Sequence, residues 1–415
     1  MTIERSRLRA LIWNGLTGAI PRISLLIAGL YVAQRFGADA FARYSLVIAT
    51  VAVAGSLPAT SLTTAASKFV AEFEHERAGS AAIGLLSIIM ALVVASLVWA
   101  IAPWLAQVFA VEPPITTMLR VAALTIGATI VSGGLIGVLV GAGRFRASAL
   151  AQLAGFVVFV AALVPLGRAL DATGAVIALG LHYAITVVFA VIAARRMLRA
   201  NGSPQFARRM RRVLGFLVPV MISSGLITLV VWLVNAIIAR GPNPLVEVSR
   251  FNAAYSWFAV VSFAPAVLAQ VEFVRLSRTK AAGGVATLSD EMRRFTLRNA
   301  QLMAILCVAI AVFASPAMGL YRAEGVEAER TLQLLMAAAF MQAIGNPAGL
   351  FLAVIDRIWL ASALNFAWGM MTLAACWLLR DAGAVGATTA FLVAYAIHFA
   401  VATLVARRLV ARNHR

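Results

Sequence analysis

Acidic residues are scarce in this chain, with 16 Asp and Glu against 35 Lys and Arg in 415 residues. Charge of either sign makes up 12% of the sequence, about half the share in a soluble globular protein. So few charges cannot cover a water-facing surface, and lipid is the solvent expected for most of the chain. Lysine is nearly absent: apart from Lys68 and Lys280 the basic side chains are all arginine. Cysteine is limited to Cys307 and Cys376, each within an apolar run. That excludes a disulfide framework and a cysteine metal site, and leaves two buried free thiols. No zinc-ligand spacing, nucleophile elbow or GxxxxGK[ST] phosphate loop occurs, which argues against ATP hydrolysis and against an enzyme. The stretch "GVLVGAG" at 137–143 is glycine at a helix end with no strand before it, not a nucleotide fingerprint. No cofactor or metal is expected. A cleaved signal peptide is not expected either, because the first apolar run exceeds the roughly 7–15 residues of a signal core and carries Arg22.

Long apolar runs fill what remains. Apolar residues make up 62% of the chain, and a membrane-crossing helix needs about 20 of them in succession. Twelve such runs can be placed, at 11–34, 44–68, 81–109, 118–141, 148–168, 174–194, 213–239, 251–274, 299–320, 331–355, 358–379 and 384–406. The segments between them carry a charge bias. The side of the N-terminus holds 25 Arg and Lys, with seven in 195–212 and six in 275–298; the opposite side holds 9, and Arg22 stands inside a span. A miscounted span would scramble this alternation, so the bias supports twelve. The positive-inside rule then puts both termini of the multi-pass chain in the cytoplasm, and the arginine bias and alanine load suggest a GC-rich bacterial genome, so the membrane expected is a bacterial inner membrane. The net charge of +19 lies in short clusters between apolar runs, a topology pattern that argues against a nucleic-acid partner. The opposite-side loops are too short to house a catalytic domain.

Halfway along, "RRMLRANGSPQFARRMRR" (195–212) carries Gly202, Ser203 and Pro204 and reads as a linker. The expected organisation is an N-terminal six-helix lobe at 1–200, a cytoplasmic linker at 201–212, and a C-terminal six-helix lobe with its tail at 213–415. The halves repeat. Arg43, Tyr44, Pro58 and Lys68 meet Arg250, Phe251, Pro265 and Arg275 at an offset of 207. Pro103 and Arg144 meet Pro316 and Arg357 at 213, and Gly174, Tyr183, Arg195 and Arg196 meet Gly386, Tyr395, Arg407 and Arg408 at 212. Six spans per half make the repeats parallel, a plan in which substrate is held between the halves and access alternates as one rocks against the other. The fold class is an all-α integral membrane protein, with twelve transmembrane helices in two parallel six-helix lobes.

The opening "ALIWNGLTGAIPRISLLIAGLYVAQRFGADAFARYSLVIAT", followed by "TTAASKFVAEFEHER", narrows this plan. The "RFGADAFARYSL" turn into the second span and the "SKFVAE" exit from it resemble polysaccharide flippases of the Wzx type. Gly37, Phe41, Tyr44, Lys68 and Glu72 stand at positions matching that family's pattern. These flippases share a superfamily with lipid II flippases and multidrug and toxic-compound extrusion (MATE) transporters. The resemblance covers the first 80 residues, and the twelve-span layout covers the rest. No major-facilitator G-x-x-x-D-R-x-G-R-R follows the second span. The resemblance implies a MATE-like V-shaped pair of bundles around a cationic cavity. It also implies transfer of an undecaprenyl-diphosphate-linked oligosaccharide from the cytoplasmic to the periplasmic leaflet, for surface or exopolysaccharide synthesis. The partners implied are that lipid-linked saccharide and membrane lipids, with saccharide polymerase or other assembly proteins as further candidates.

Within "GAIPRISLLIAGLY" (18–31), Arg22 lies about 16 Å into the first span at 1.5 Å per residue, near the middle of a ~30 Å core. A charge there costs at least ~2.5–3.5 kcal/mol on insertion scales. Arginine stays protonated and its planar fork suits phosphate, so Arg22 is the first candidate for the diphosphate. The competing reading is a structural arginine bonded to backbone carbonyls freed by Pro21. Asn14, Asn235 and Asn252 are further substrate-binding candidates, able either to meet sugar hydroxyls or to bond between helices. His182 and His398, in the last span of each half, are candidates for proton coupling, or else hydrogen-bonded packing elements. Lys68 and Arg275 are candidates for a cytoplasmic gate that admits the headgroup, with pairing to Glu72 and Glu272 as the plainer role. Pro21 and Pro219, in the first helix of each half, are candidate bending points. No Asp or Glu occupies the centre of any span, which disfavours an extruder of cationic drugs. That extruder, and a non-transporting scaffold for saccharide assembly, are the alternatives to a flippase.

Overall fold

The structure is a computed structural model that describes residues 2–72, 77–112, 114–198, 206–281, 285–355 and 357–413. Among these residues there is no strand. The helices are α1 (Thr2–Phe36), α2 (Ala38–Val51), α3 (Leu57–Glu72), α4 (Arg77–Phe109), α5 (Thr116–Gly141), α6 (Phe145–Ala194), α7 (Phe206–Ile238), α8 (Pro244–Ala281), α9 (Val285–Val312), α10 (Ala314–Gly319), α11 (Val326–Val354), α12 (Ile358–Leu378) and α13 (Gly383–Asn413). Nine helices of the described residues are long and apolar enough to cross a membrane, α2 and α3 counting as one. α6 is two helices that meet at a break at Leu170 and Asp171, and its 50 residues, about 75 Å of helix and more than twice a bilayer core, hold two crossings. With α7 and α8, whose apolar stretches are more interrupted, the passes number twelve.

The chain divides into two compact units, Met1–Trp232 and Leu233–Arg415. The repeat read from sequence is visible in the backbone of both. Asp171 (φ 51°, ψ −139°) and Gly383 (φ 55°, ψ −132°) are 212 residues apart and share one conformation. Ala110 (φ 51°) and Arg322 (φ 55°) form a second pair at the same offset. Gly174 and Gly386 follow the first pair, and at each an added Cβ would strike a backbone carbonyl of the preceding helix, Leu166 or Leu379. The fifth-to-sixth span reversal is therefore the same turn twice, with aspartate in one copy where the other has glycine. Asp171→Gly is expected to stabilise unit 1 by about 1 kcal/mol through relief of backbone strain, read as a rise in thermal midpoint in detergent.

The copies differ at the second span. In unit 1, α2 and α3 are joined by a π-helical turn, Ala52–Ser56, directly before Pro58. A proline ring crowds the carbonyl four residues back, and the wider turn moves that carbonyl aside. The equivalent Pro265 lies inside an uninterrupted α8.

Packing in unit 1 rests on a glycine face of α5. Gly133, Gly137 and Gly141 recur every fourth residue. An added Cβ would come within 2.6 Å of the Ala59 carbonyl, 2.7 Å of Thr63 Cα and 2.8 Å of the Ala66 carbonyl, respectively. These glycines bring α5 and α3 into backbone contact, where small residues are what helices in lipid use to approach. The glycines of "GVLVGAG" therefore serve packing as well as the helix end. Unit 2 is held by aromatic rings instead. Trp368 stacks on Tyr395 at 4.7 Å and meets Phe391 edge-on at 6.1 Å, while Tyr255 stacks on Phe258 at 5.4 Å.

Candidate functional site

Ser24 and Arg22 lie on opposite faces of α1. The Ser24 face packs against α6: Thr17 Oγ1 and Ser148 Oγ are 2.9 Å apart, and Ser24 Oγ lies 3.3 Å from His182 Nδ1. The other face is open. Arg22 and Asn14 are exposed, a Cβ at Gly15 would meet nothing within 4 Å, and one at Gly18 would meet only Arg22 Nη1, at 3.8 Å. Two glycines thus leave space beside the guanidinium. Arg22 Nη1 donates to the Gly18 carbonyl at 3.4 Å, a long bond to the turn that precedes Pro21. Asn14 is eight residues from Arg22 on the same helix, about 12 Å along its axis.

His182 is fully buried. Its Nε2 is 3.0 Å from Gln152 Oε1, which also accepts from Thr186 Oγ1 at 3.4 Å. Both ring nitrogens therefore face side-chain oxygens, and Phe159 and Tyr183 present their edges to the ring. The structure unites two polar residues, His182 and Gln152, that are 30 positions apart with no local signal linking them. His182→Ala is expected to cost about 1–3 kcal/mol, because it removes the imidazole from buried Gln152 and Ser24, which keep only the Thr186 hydroxyl and the Ile20 carbonyl as partners. His182→Gln keeps a hydrogen-bonding group there. If His182 couples transport to protons, the Gln variant folds normally but loses the pH dependence of transport; an unchanged pH profile would sink the coupling role. His398 is half-buried on α13 and bonds to the backbone of Leu364.

Asn235 and Asn252 come together. Asn252 Nδ2 donates to Asn235 Oδ1 at 2.6 Å and to the Val248 carbonyl at 2.9 Å. Both amide protons are thereby used within the α7–α8 hairpin, and Asn235 is fully buried. Lys68 is exposed at the end of α3, with its ammonium 4.6 Å from the centre of the Phe216 ring and 5.5 Å from Phe69. The side chains of Arg275, Glu72 and Pro219 lie outside the described residues, as do linker residues 201–205 and Asp356. Glu272 is buried, with Arg298 at 3.8 Å.

One arrangement was not foreseen from sequence. Glu247 on α8 is buried; its Oε1 accepts from Arg250 at 2.6 Å, and its Oε2 accepts the Ala384 backbone N–H at 2.7 Å. Arg250 also pairs with Glu327 at the start of α11. One carboxylate so ties α8 to the N-terminus of α13, where the first N–H groups lack helical partners. A Cβ at Gly383 would collide with that carboxylate, so the glycine has two reasons to be there. The paired charges Glu247 and Arg250, three residues apart in a helix start, are a signal that sequence offers; their third and fourth partners are not. Glu247→Ala is expected to cost about 1–3 kcal/mol by stranding a buried N–H, measured by thermal melting of the purified chain.

The model of a family described as polysaccharide biosynthesis protein matches residues 8–280. The chain belongs to that family. No curated protein sequence matches it. Solved structures match along its whole length. A multidrug resistance MATE family transporter of the MOP superfamily, in its inward-facing conformation, superposes with a TM-score of 0.82 at 14% identity, covering 96% of this chain and 98% of that one. The outward-facing conformation of a multidrug resistance MATE family transporter gives 0.68 at 14%, covering 98% and 95%. A MOP superfamily transporter from Pyrococcus furiosus gives 0.72 at 13%, covering 98% and 96%; its binding pocket is described as of reverse polarity, suggesting a different function. At such identities these likenesses show the fold alone. This member of the polysaccharide biosynthesis family is thus a multi-pass membrane protein with a MATE-like fold.

Proposed function

We propose that the chain is a flippase for a polyprenyl-diphosphate-linked saccharide in a bacterial inner membrane, with both termini cytoplasmic. The observation that carries this reading is Arg22: a permanent cation at mid-span, on a face of α1 left open by Gly15 and Gly18. A guanidinium in that position suits a diphosphate. Exposing that face first to one leaflet and then to the other would move the headgroup across while the lipid tail stays in the bilayer. Asn14 lies within reach of a saccharide attached to a headgroup at Arg22, and Lys68 stands where a phosphate would arrive from the N-terminal side. Organisation into two six-helix lobes, 1–200 and 213–415, joined by a cytoplasmic linker, belongs to the same proposal.

Deletion of the gene tests it. The flippase reading expects complete lipid-linked saccharide units to accumulate on the cytoplasmic leaflet, protected from periplasmic enzymes and released by wild-type rescue. Normal saccharide export with new drug sensitivity would favour multidrug extrusion, a reading that the fold permits. The absence of an acidic residue from the centre of every span speaks against it, since a cationic drug would need a counter-charge.

A further inference from the structure

A cavity of about 440 Å³ opens where the N-terminal-side ends of α1 and α6 meet, lined by Trp13, Arg144, Phe145, Arg146 and Leu150 with Gly143 and Ala147. No carboxylate lines it. Its walls are fixed by bonds on each side. Thr17 Oγ1 donates to the Trp13 carbonyl at 2.9 Å and faces Ser148 Oγ at the same distance, while Ser148 Oγ also bonds to the Phe145 carbonyl at 2.8 Å. Arg144 Nη1 donates to the Ala193 carbonyl at 2.5 Å, which anchors one end of its guanidinium and leaves four of its five N–H donors for other acceptors. Arg144 and Arg146 are both exposed.

Below the cavity, α6 presents a continuous apolar stripe. Leu150, Leu153, Val157, Val160 and Val164 recur at three- and four-residue spacing, and each is 42–59% exposed. A tryptophan and two arginines at the head of an exposed apolar stripe match the two parts of a lipid: an aromatic and cations at headgroup depth, and hydrocarbon beneath.

We propose that this cavity binds the phosphoryl headgroup of an anionic lipid whose chain lies along the α6 stripe. The site is separate from Arg22, which is some nine residues further along α1 than Trp13. It rests on the membrane reading of α1 and α6 and not on flipping, so a failed export assay leaves it standing, and its own failure leaves the export assay untouched. The anionic phosphoryl group belongs equally to a bulk phospholipid and to a polyprenyl diphosphate, and the test separates the two.

The full chain, purified in detergent, is offered phosphatidylglycerol, phosphatidylcholine, undecaprenyl diphosphate or inorganic pyrophosphate, and bound molecules are counted by native mass spectrometry. Phosphatidylglycerol is expected to be retained over phosphatidylcholine, with retention falling about fivefold in Arg146→Gln, the weight of one arginine beside an anionic headgroup. Arg146→Lys, which keeps the charge, is expected to retain most of the binding. Both variants leave the Arg144–Ala193 bond intact, and their melting curves report whether they fold. Displacement of phosphatidylglycerol by undecaprenyl diphosphate at lower concentration would support the site and make the isoprenoid its ligand. Displacement only at equal or higher concentration would support it with bulk phospholipid as the ligand. Equal retention of phosphatidylcholine, an unchanged count in folded Arg146→Gln, or competition by pyrophosphate as effective as by either lipid would overturn the proposal.

Discussion

Replacing Arg22 by alanine is expected to cut export of the lipid-linked saccharide by tenfold or more, with little loss of folded protein. Hydrogen bonds to a charged group are worth about 1.5–3 kcal/mol, which at the headgroup of a bound lipid corresponds to roughly ten- to a hundredfold. Stability is expected to change little because Arg22 is exposed. Removing a mid-span charge also removes an insertion cost of at least ~2.5–3.5 kcal/mol, so membrane levels of the variant are expected to equal or exceed wild type. Arg22→Lys keeps the charge and loses the planar fork, and an intermediate defect is expected. The measurement is the fraction of lipid-linked saccharide reachable from the periplasm in a deletion strain carrying each variant. Wild-type export by both variants would refute the headgroup role and leave Arg22 as a partner of the backbone around Pro21.

A larger effect on folding is expected at Gly137. Its missing side chain lets α5 approach α3 so closely that a Cβ would stand 2.7 Å from Thr63 Cα and 2.9 Å from the Thr63 carbonyl. These are backbone atoms and cannot swing aside. Gly137→Ala is expected to destabilise unit 1 by about 1–3 kcal/mol through overpacking, and Gly137→Leu to abolish the folded species in size-exclusion chromatography. Gly15→Ala serves as the control. It adds the same methyl group to open space, and its melting midpoint is expected to stay at or above wild type. Equal melting of Gly137→Ala and wild type would show that α3 and α5 can separate without loss.

The contrast between these two glycines marks what sequence reading can reach. Both lie in apolar runs of similar composition, and nothing local says that one supports a helix contact while the other lines open space. The same holds for His182. Its position inside a span is plain from hydropathy, but its partners Gln152 and Ser24 lie 30 and 158 residues away, and only packing brings them to the ring. Asn235 and Asn252, candidates for sugar binding, are bonded to each other in the α7–α8 hairpin. Amide side chains in lipid satisfy one another where they can, and sequence cannot say which will.

Sequence alone determined the fold class, the twelve passes and the parallel repeat. The reason is physical: a bilayer admits few backbone arrangements, apolar length counts the helices, and arginine placement sorts their ends. It also singled out Arg22, because a charge in the middle of an apolar span is conspicuous from the sequence itself. The tertiary structure decided what depends on distance between helices. It set the glycine seam of α5 against α3, the buried His182–Gln152–Ser24 network, and the Glu247 tie between α8 and α13. It also placed Trp13, Arg144 and Arg146 around one cavity. Such contacts join residues tens to hundreds of positions apart, and they follow from side-chain shape at each crossing, which the hydropathy of a span does not encode.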